Sequence, residues 1–380
     1  MQVVHVFNSG SLSGPEMLVI PALRKLPALR EVWSLEETRL TINTATLSRF
    51  CAQNGIPVTT IAVASRFDPR AIARLRKHIR TLPDECIIHC HDVKASLYVW
   101  FAKKIAGRRN IQLFATHHGA LVRDHWISRL YEKMFVFIAS RSFSALLSVS
   151  ESEFQILRNR GVPENVLKLH RNGITRPSLP YNPRRERLGD DECKFVMLAR
   201  LSAEKNHLRA LHVLKALQDS HHIRWTLDLL GDGRERSKIM RTANELGIAE
   251  RLRIRGFVAE GWKELQKYDC LLSFSLGEGL PVSLLEAGWR MTPIFASAVG
   301  GVCELCKDGA GKLFSLNSDN KKIADELAAF VNNPARMREC AEKMHHRVAN
   351  EYSEQRWLLD LLKHYERKNG ESVGLQKSAN

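Results

Sequence analysis

The sequence predicts an α/β protein made of two doubly wound domains that face each other across a cleft. Two observations lead to this fold class. Short aliphatic and β-branched runs alternate with helical patterns over most of the 380 residues, which is typical of parallel βαβ units. A stretch with three prolines and four arginines, residues 175–191, interrupts the alternation near the middle and indicates a linker between domains.

The first half predicts seven strands separated by helices. The strand candidates are residues 3–7, 32–35, 58–61, 87–91, 113–116, 146–150 and 166–170. Helical patterns cover residues 16–25, 69–80 and 95–106. The strands are almost continuously apolar, which fits a parallel sheet covered on both faces.

A second alternating series follows the linker. Its strand candidates are residues 194–199, 226–230, 253–257, 270–274, 293–296 and 312–314, and its helices are 207–218, 235–246, 282–289, 320–331 and 352–368. We therefore expect a first domain (1–178), a linker (179–192), a second domain (193–351), a final helix that crosses back to the first domain (352–370) and a flexible tail (371–380). In such sheets the ligand lies beyond the carboxyl ends of the strands.

The positive charge is concentrated in the first half. The chain has 57 Lys and Arg against 41 Asp and Glu, a net +16, and residues 1–180 carry +12 of it. Nucleic acid, an anionic membrane and a phosphorylated substrate all remain possible partners. Segment 66–80 is basic and amphipathic, with an apolar stripe of Phe67, Ile72, Leu75 and Ile79. This stripe either faces anionic lipid or packs on the sheet with its cations solvated.

Several classes of protein are disfavoured. No apolar run approaches the ~20 residues of a membrane span, and the amino terminus does not resemble a secretion signal. The eight cysteines have irregular spacing, and the single C-x-x-C, Cys303–Cys306, has no partner pair for a zinc site. Residues 8–14 do not supply the G-x-G-x-x-G of a nicotinamide-dependent enzyme. No motif typical of nucleic-acid-binding domains is present.

The loops of the second half carry the chemistry. Arg200 and Lys205 follow a strand and precede a helix, where free N–H groups and two cations favour a phosphate. Gly231 and Gly233 permit a tight turn after the next strand. The loop at residues 297–302 is expected to be an ordinary connection.

Residues 275–286 predict a diphosphate and sugar site. The Gly279–Leu280 backbone leads into a helix, whose N–H groups can hold a phosphate without an ion. Glu278 and Glu286 flank this turn. A carboxylate beside an anion site suits vicinal hydroxyls, because it can accept two hydrogen bonds from a diol.

Taken in order, these loops resemble the retaining glycosyltransferases of the GT-B fold, specifically family 4. The matching segments are A-R-L-S-x-E-K-N (199–206), G-D-G (231–233), G-F-V (256–258) and E-G-L-P-V-S-L-L-E (278–286). In the first half, residues 11–16 resemble the G-G-x-E loop of the family, with Ser13 in place of a glycine. Segments 116–119, 148–151 and 172–174 resemble its T-x-H-G, V-S-x and N-G-I/V segments. The family usually has glycine where Ala199 stands, and the likeness extends over residues 1–365.

The resemblance implies the following roles. Arg200 and Lys205 neutralise the nucleotide diphosphate, Glu286 binds the ribose, and Glu278 contacts the hydroxyls of the transferred sugar. Further donor-binding residues are Gly14, Gly231, Phe257, Val258, Gly279 and Leu280, and the catalytic set is His118, Glu278, Arg200 and Lys205. Phe257 itself is expected in the core rather than as a stacking platform.

The mechanism expected from this resemblance uses neither a metal nor a cofactor. The sequence has no Asp-x-Asp pair, so Arg200, Lys205 and helix-end amides are expected to hold the diphosphate. The resemblance further implies front-face attack, with the leaving phosphate accepting the proton of the acceptor. A metal site at the histidines of segments 89–91 and 117–118 would need further ligands at fitting positions. One of His117 and His118 is expected to point inward, and His118 is the functional candidate.

The sequence therefore predicts a hexosyltransferase that uses a nucleotide-sugar donor, most simply a UDP-sugar. Its acceptor is expected to be an anionic glycolipid or phosphorylated glycan of the bacterial envelope or lipopolysaccharide core. We expect it to lie at the cytoplasmic face of the inner membrane and to bind no nucleic acid. A soluble or protein acceptor is the alternative within the same fold, and a basic nucleic-acid-binding protein is the alternative outside it.

Overall fold

Two parallel sheets with helices on both faces form the architecture seen in a computed structural model of the chain. The structure describes residues 2–8, 12, 14–37, 45–65, 67–119, 126–176, 192–258 and 260–366. The predicted linker lies outside these residues except for residue 192, and the 371–380 tail lies wholly outside them. Ser11 and Ser13 of the first glycine-rich loop are also outside.

The first sheet has seven strands in the order β3-β2-β1-β4-β5-β6-β7. They are β1 (Gln2–Phe7), β2 (Leu29–Glu37), β3 (Val58–Val63), β4 (Cys86–Cys90), β5 (Gln112–His117), β6 (Ala145–Ser148) and β7 (Leu167–Leu169). The chain reverses its direction of travel across the sheet between β1 and β4, where His5 pairs with His89 in register. This switch point leaves a crevice at the carboxyl edge.

The second sheet repeats this topology with six strands in the order β10-β9-β8-β11-β12-β13. They are β8 (Cys193–Leu198), β9 (Trp225–Leu230), β10 (Leu252–Gly256), β11 (Cys270–Ser273), β12 (Ile294–Ser297) and β13 (Lys312–Phe314). Its switch point lies between β8 and β11. The predicted Arg200 and Glu278 loops follow these two strands.

Thirteen α-helices connect the strands or follow them within the described residues. They are α1 (Gly14–Leu23), α2 (Ala45–Gln53), α3 (Pro69–Thr81), α4 (Val93–Ala106), α5 (Trp126–Ser142), α6 (Glu151–Asn159), α7 (His207–His221), α8 (Arg236–Glu245), α9 (Val282–Trp289), α10 (Gly300–Leu305), α11 (Asn320–Val331), α12 (Pro334–Glu351) and α13 (Glu354–Glu366). None of them is both long and apolar enough to cross a bilayer.

The α3 helix decides between the two interpretations of the basic segment. Asp68 caps it, accepting hydrogen bonds from the backbone N–H groups of residues 70 and 71, and Pro69 opens the first turn. Ile72, Leu75 and Ile79 are buried against the sheet, so this part of the apolar stripe belongs to the core. Of the stripe only Phe67 is exposed, at 54%, so the alternative in which the stripe packs on the sheet holds for its other three residues.

The two domains share a hydrophobic core. One cluster of buried side chains includes Ile20 and Leu23 of α1, Leu284 of α9 and Leu361 of α13. The last helix, α13, packs on the first domain: Tyr365 hydroxyl lies 2.6 Å from His89 Nδ1. Lys25 of the first domain forms an ion pair with Glu354 at the start of α13.

All eight cysteines lie among the described residues and are free thiols. Cys303 is exposed within α10, and Cys306 is buried just after the end of that helix. The Cys303–Cys306 pair therefore brackets the last turn of a short helix.

Candidate active site

Lys205 and Glu278 meet at the carboxyl edge of the second sheet. Lys205 ends a short 3₁₀ turn, and its Nζ lies 2.5 Å from Glu278 Oε1. Both side chains are largely buried, with 19% and 12% exposed, so the pair is shielded from solvent. Ser275 Oγ donates to the same Glu278 oxygen at 2.6 Å. Two predicted site residues are thus in direct contact, and Ser275, which was not predicted, orients one of them.

Arg200 follows β8 and extends from the protein surface. Its side chain is 54% exposed, and its Nη2 lies 3.4 Å from Glu204 Oε1. Ser202 Oγ donates to the same carboxylate at 2.7 Å. Hydrogen bonding from Ser202, together with nearby Arg200, lowers the pKa of Glu204 although burial opposes this shift. Glu204 is ionised and holds Arg200 loosely, so this guanidinium can turn toward an anion.

Glycines allow the loops of this edge to pack by their backbones. A Cβ on Gly231 would lie 1.9 Å from the carbonyl oxygen of Ala199. A Cβ on Gly233 would lie 2.3 Å from the carbonyl oxygen of Leu201. Gly231 and Gly233 therefore support the loop that carries Arg200, because any larger side chain would displace it.

The two domains touch where His118 and Gly119 meet Gly279. A Cβ on Gly279 would lie 2.3 Å from the carbonyl oxygen of His118, and one on Gly119 would lie 2.6 Å from Gly279 N. Gly119 also has a φ of +116°, a conformation that favours glycine. The backbone of His118 thus lies directly against the Glu278–Gly279 turn of the other domain.

Two further residues brace this turn, and the sequence interpretation missed both. Asn172 is buried and donates from Nδ2 to the carbonyl oxygen of Leu280 at 3.0 Å. Gly301 N donates to the carbonyl oxygen of Glu278 at 3.1 Å, and its missing Cβ would lie 1.8 Å from Gly279 O. The loop before α10 is therefore part of the site and not an ordinary connection. In the sequence, the N-G-I segment at residues 172–174 and the two consecutive glycines at 300 and 301 could have indicated these roles.

The amino termini of α1 and α9 converge at the same place. A Cβ on Gly14, the first residue of α1, would lie 3.2 Å from Cγ2 of Val282, the first residue of α9. Helix amino termini carry unpaired N–H groups and a partial positive charge. The two termini, together with Lys205 on the neighbouring Glu278, form a cradle suited to a diphosphate.

Glu286 lies one turn inside α9 and is partly exposed. Burial raises the pKa of this carboxyl group from 4.5 to about 8. Carboxyl groups with a raised pKa are common in ligand-binding sites.

Phe257 corrects an expectation. It follows edge strand β10 and is 53% exposed, whereas the sequence suggested a core position. Val258, next to it, packs partly on the core. The side chain of Phe257 is exposed because the strand ends at Gly256, whose φ is +72°. An exposed ring at the carboxyl edge can stack on a nucleotide base.

His117 and His118 point to different surroundings, as expected. His117 is buried, and its Nδ1 lies 2.8 Å from Glu153 Oε1 of α6. His118 is partly exposed, and its Nε2 lies 3.3 Å from His91 Nδ1. Burial lowers the pKa of His118 to about 3, so the ring is neutral.

One trio of histidines offers metal-ligand spacing within the described ranges. His5, His89 and His91 have ring nitrogens within 4.8 Å of one another. Both nitrogens of His89 are already engaged, with Tyr365 at 2.6 Å and Thr116 at 2.8 Å. His5 and His91 are joined at 2.8 Å. The trio is therefore a set of hydrogen-bonded imidazoles and does not fit a metal ion.

Comparisons with known proteins agree with this architecture. A family model described as Glycosyltransferase Family 4 matches residues 44–176, and one described as Glycosyl transferases group 1 matches residues 181–347. Together they cover most of the chain and both domains. A lipopolysaccharide 1,6-galactosyltransferase of Escherichia coli K12 is 28% identical over 276 residues, covering 67% of this chain and 72% of the relative.

Solved structures share the fold over nearly the whole chain. The Anabaena protein HepE in complex with UDP-glucose has a TM-score of 0.81 at 16% identity, with 97% of this chain and 100% of that one covered. The lipopolysaccharide outer core galactosyltransferase WaaB in its apo form has a TM-score of 0.68 at 18% identity, with the same coverage. From the two family models and the paired sheets, we conclude that the chain is a glycosyltransferase of family 4 with the GT-B fold.

Proposed function

We propose that the protein transfers a hexose from a UDP-sugar to a glycan or glycolipid acceptor in the synthesis of bacterial envelope polysaccharide or lipopolysaccharide core. The observation that carries the proposal is the cradle formed by Lys205 and the amino termini of α1 and α9. HepE binds UDP-glucose and the E. coli relative is a lipopolysaccharide galactosyltransferase, which favours this donor and this acceptor class.

The donor is held by residues from both domains. Lys205, Arg200 and the backbone N–H groups of Gly279 and Leu280 take the diphosphate, while Gly14 allows α1 to approach it. Glu286 accepts hydrogen bonds from the ribose hydroxyls. Phe257, Val258 and Gly231 line the base pocket. Glu278 contacts the hydroxyls of the transferred sugar, and His118 lies beside the reacting carbon.

Transfer proceeds without a divalent metal and with retention of the anomeric configuration. Negative charge develops on the leaving diphosphate, and the fixed cations and helix amino termini stabilise it there. The leaving phosphate accepts the proton of the acceptor hydroxyl as that oxygen attacks the same face of the sugar. We expect equal rates with and without EDTA and a product of unchanged anomeric configuration by NMR. A rate abolished by EDTA and restored by Mg²⁺ or Mn²⁺ would contradict metal independence.

A panel of nucleotide sugars tests the donor. A ligand present at about a hundred times its Kd stabilises the folded state by about 2.7 kcal/mol, which thermal denaturation detects. We expect UDP-hexoses to raise Tm and GDP-, ADP- and CMP-sugars to raise it less. If Tm does not respond to any of them, the proposed donor site is wrong.

The basic surface of the first domain supports an acceptor at the cytoplasmic face of the inner membrane. Arg70, Arg74 and Lys77 are exposed on α3, and Phe67, which precedes this helix, is exposed as well. Cations beside exposed aromatic rings suit anionic lipid headgroups.

Sedimentation with phosphatidylglycerol vesicles tests this contact. Each lysine or arginine near an anionic surface contributes about 1 kcal/mol at low salt. We expect binding at low salt, release at high salt, and loss of binding in the triple variant R70E/R74E/K77E. The matched control R236E/K238E/R241E reverses three exposed cations of α8 and should still bind. Equal binding by both variants would contradict the proposed membrane contact but not the proposed transferase activity.

A further inference from the structure

Ser275 is a buried residue near the start of the loop that follows β11. It is 2% exposed, and its carbonyl oxygen accepts a hydrogen bond at 2.6 Å from Oγ of Ser297, the last residue of β12. The backbone of Ser275 is therefore tied to the neighbouring strand. Its own Oγ lies 2.6 Å from Glu278 Oε1. A carboxylate has no hydrogen to give, so the Ser275 hydroxyl is the donor in this contact.

Both side chains that bind the Glu278 carboxylate contact the same oxygen. Oε1 accepts from Ser275 Oγ and from Lys205 Nζ, which lies 2.5 Å away. A carboxylate oxygen has two lone pairs, so these two hydrogen bonds saturate Oε1. Oε2 has no hydrogen-bond partner among the described residues, and the side chain is 12% exposed. Oε2 is therefore the oxygen that remains for a ligand in the cleft.

The loop around Glu278 holds this arrangement in place. Gly301 N donates to the carbonyl oxygen of Glu278 at 3.1 Å. Earlier in the loop, Leu276 N donates to the carbonyl oxygen of Glu204 at 2.8 Å. Turning the carboxylate to expose Oε1 would break two hydrogen bonds, one of them to a cation, and such charge-assisted bonds are the stronger kind. A full half-turn only exchanges the two oxygens and restores the same pattern.

We infer that Ser275 is a positioning residue that restricts Glu278 to one hydrogen bond with the transferred sugar, so that this carboxylate recognises a single hydroxyl group of the donor. The inference rests on the proposed function, in which Glu278 contacts that sugar. An unrestrained carboxylate can accept from two vicinal hydroxyls, one on each oxygen. With Oε1 saturated, only the hydroxyl opposite Oε2 is bound. A hexose that lacks this hydroxyl, or carries it in the other configuration, is then disfavoured.

Two substitutions test the hydroxyl of Ser275. Ser275→Ala removes the donor and frees a lone pair of Oε1 for a second sugar hydroxyl, while Lys205 still holds the carboxylate. Ser275→Thr keeps the hydroxyl group. Ser140→Ala is the matched control, because Ser140 Oγ donates at 2.7 Å to the carbonyl oxygen of Val136 within α5 of the first domain.

Calorimetric titration measures the sugar contact without catalysis. The ligands are UDP, UDP-glucose, UDP-galactose and the four monodeoxy analogues of whichever UDP-hexose binds more tightly. Losses of affinity that disappear in Glu278→Gln depend on this carboxylate. We expect one such position, with at least about a tenfold loss in the wild type, the scale of one hydrogen bond to a charged group.

In Ser275→Ala the loss at this position should shrink to about threefold, and a vicinal position should become sensitive by a similar factor, because two hydroxyls then share the carboxylate. Ser275→Thr and Ser140→Ala should show the profile of the wild type. The Kd of UDP alone should be the same in all of these serine variants, since UDP carries no hexose.

Two positions that depend on Glu278 in the wild type would overturn the single contact. An unchanged profile in Ser275→Ala, or an equal weakening of every ligand including UDP, would overturn the positioning role of Ser275. If one hydroxyl is recognised as expected but the wild type transfers no hexose to any glycan acceptor, the proposed function fails and the inference stands. If no UDP-sugar binds, both are wrong.

Discussion

Replacing Glu286 by glutamine should stabilise the folded protein and weaken its binding of the donor. Burial raises the pKa of this carboxyl group from 4.5 to about 8 in the folded protein. The folded state therefore binds this proton more tightly than the unfolded state does. Below about pH 4.5 the carboxyl group is protonated in both the folded and the unfolded state, and its burial does not lower the free energy of unfolding. As pH rises from about 4.5 to 8, the unfolded state ionises first and the folded protein loses stability relative to it.

The size of the effect follows from the shift. One pKa unit corresponds to about 1.4 kcal/mol, so the full shift is worth at most about 5 kcal/mol. Water that reaches the partly exposed carboxylate reduces this to roughly 2–3 kcal/mol. Glu286→Gln carries no charge at any pH. Its Tm should therefore exceed that of the wild type by a few degrees at about pH 8.5 and equal it at about pH 4.5.

Donor binding should change in the opposite sense. In the proposed site the ionised carboxylate would accept hydrogen bonds from both ribose hydroxyls. The donor KM of the wild type should then fall as pH rises toward 8.5, and that of Glu286→Gln should stay high and flat. Glu342→Gln, an exposed position on α12, is the control for both measurements. A Tm difference that is the same at both pH values would refute the pKa argument. An unchanged donor KM would refute the ribose assignment.

Three further predictions concern the turn at the domain contact. Lys205→Ala removes the cation that pairs with Glu278 at the proposed diphosphate site and should lower kcat/KM by about 10²-fold, whereas Lys215→Ala on α7 should have no effect in the same assay. Gly279→Ala places a Cβ 2.3 Å from the carbonyl oxygen of His118, so we expect at least a tenfold loss of kcat with an unchanged far-UV circular dichroism spectrum. Full activity of Gly279→Ala would mean that the contact opens freely. Glu304→Gln weakens the ion pair with Arg171 that joins α10 to the first domain, and small-angle scattering should then show a larger radius of gyration; an unchanged radius would mean that this pair does not hold the domains together.

The sequence predicted the strands and several helices closely because both sheets are built from short apolar runs. The predicted helices 282–289 and 320–331 coincide with α9 and α11. It did not predict α12, whose polar outer face carries many charges and whose apolar stripe is narrow. Helices of this kind are stabilised mainly by tertiary packing, which local patterns do not contain.

The sequence predicted many residues of the candidate site but not the contacts between them. Lys205 and Glu278 were assigned to the same donor, yet their direct pairing joins segments 73 residues apart and could not be read from spacing. Asn172 and Gly301 act on the backbone of another loop, so their roles depend on the fold. Phe257 was misplaced because an aromatic residue after a strand is more often buried than exposed.

The packing of α13 has a consequence for protein engineering. This helix follows the second domain in the sequence. Its Tyr365 nevertheless contacts His89, and its Glu354 pairs with Lys25, and both of these partners belong to the first domain. The first structural unit is thus assembled from two distant stretches of the gene. An exchange of first domains between two enzymes of this family should transplant the closing helix along with residues 1–176. A chimaera joined only at the linker would combine the first domain of one enzyme with the α13 helix of the other, and the two would not be complementary.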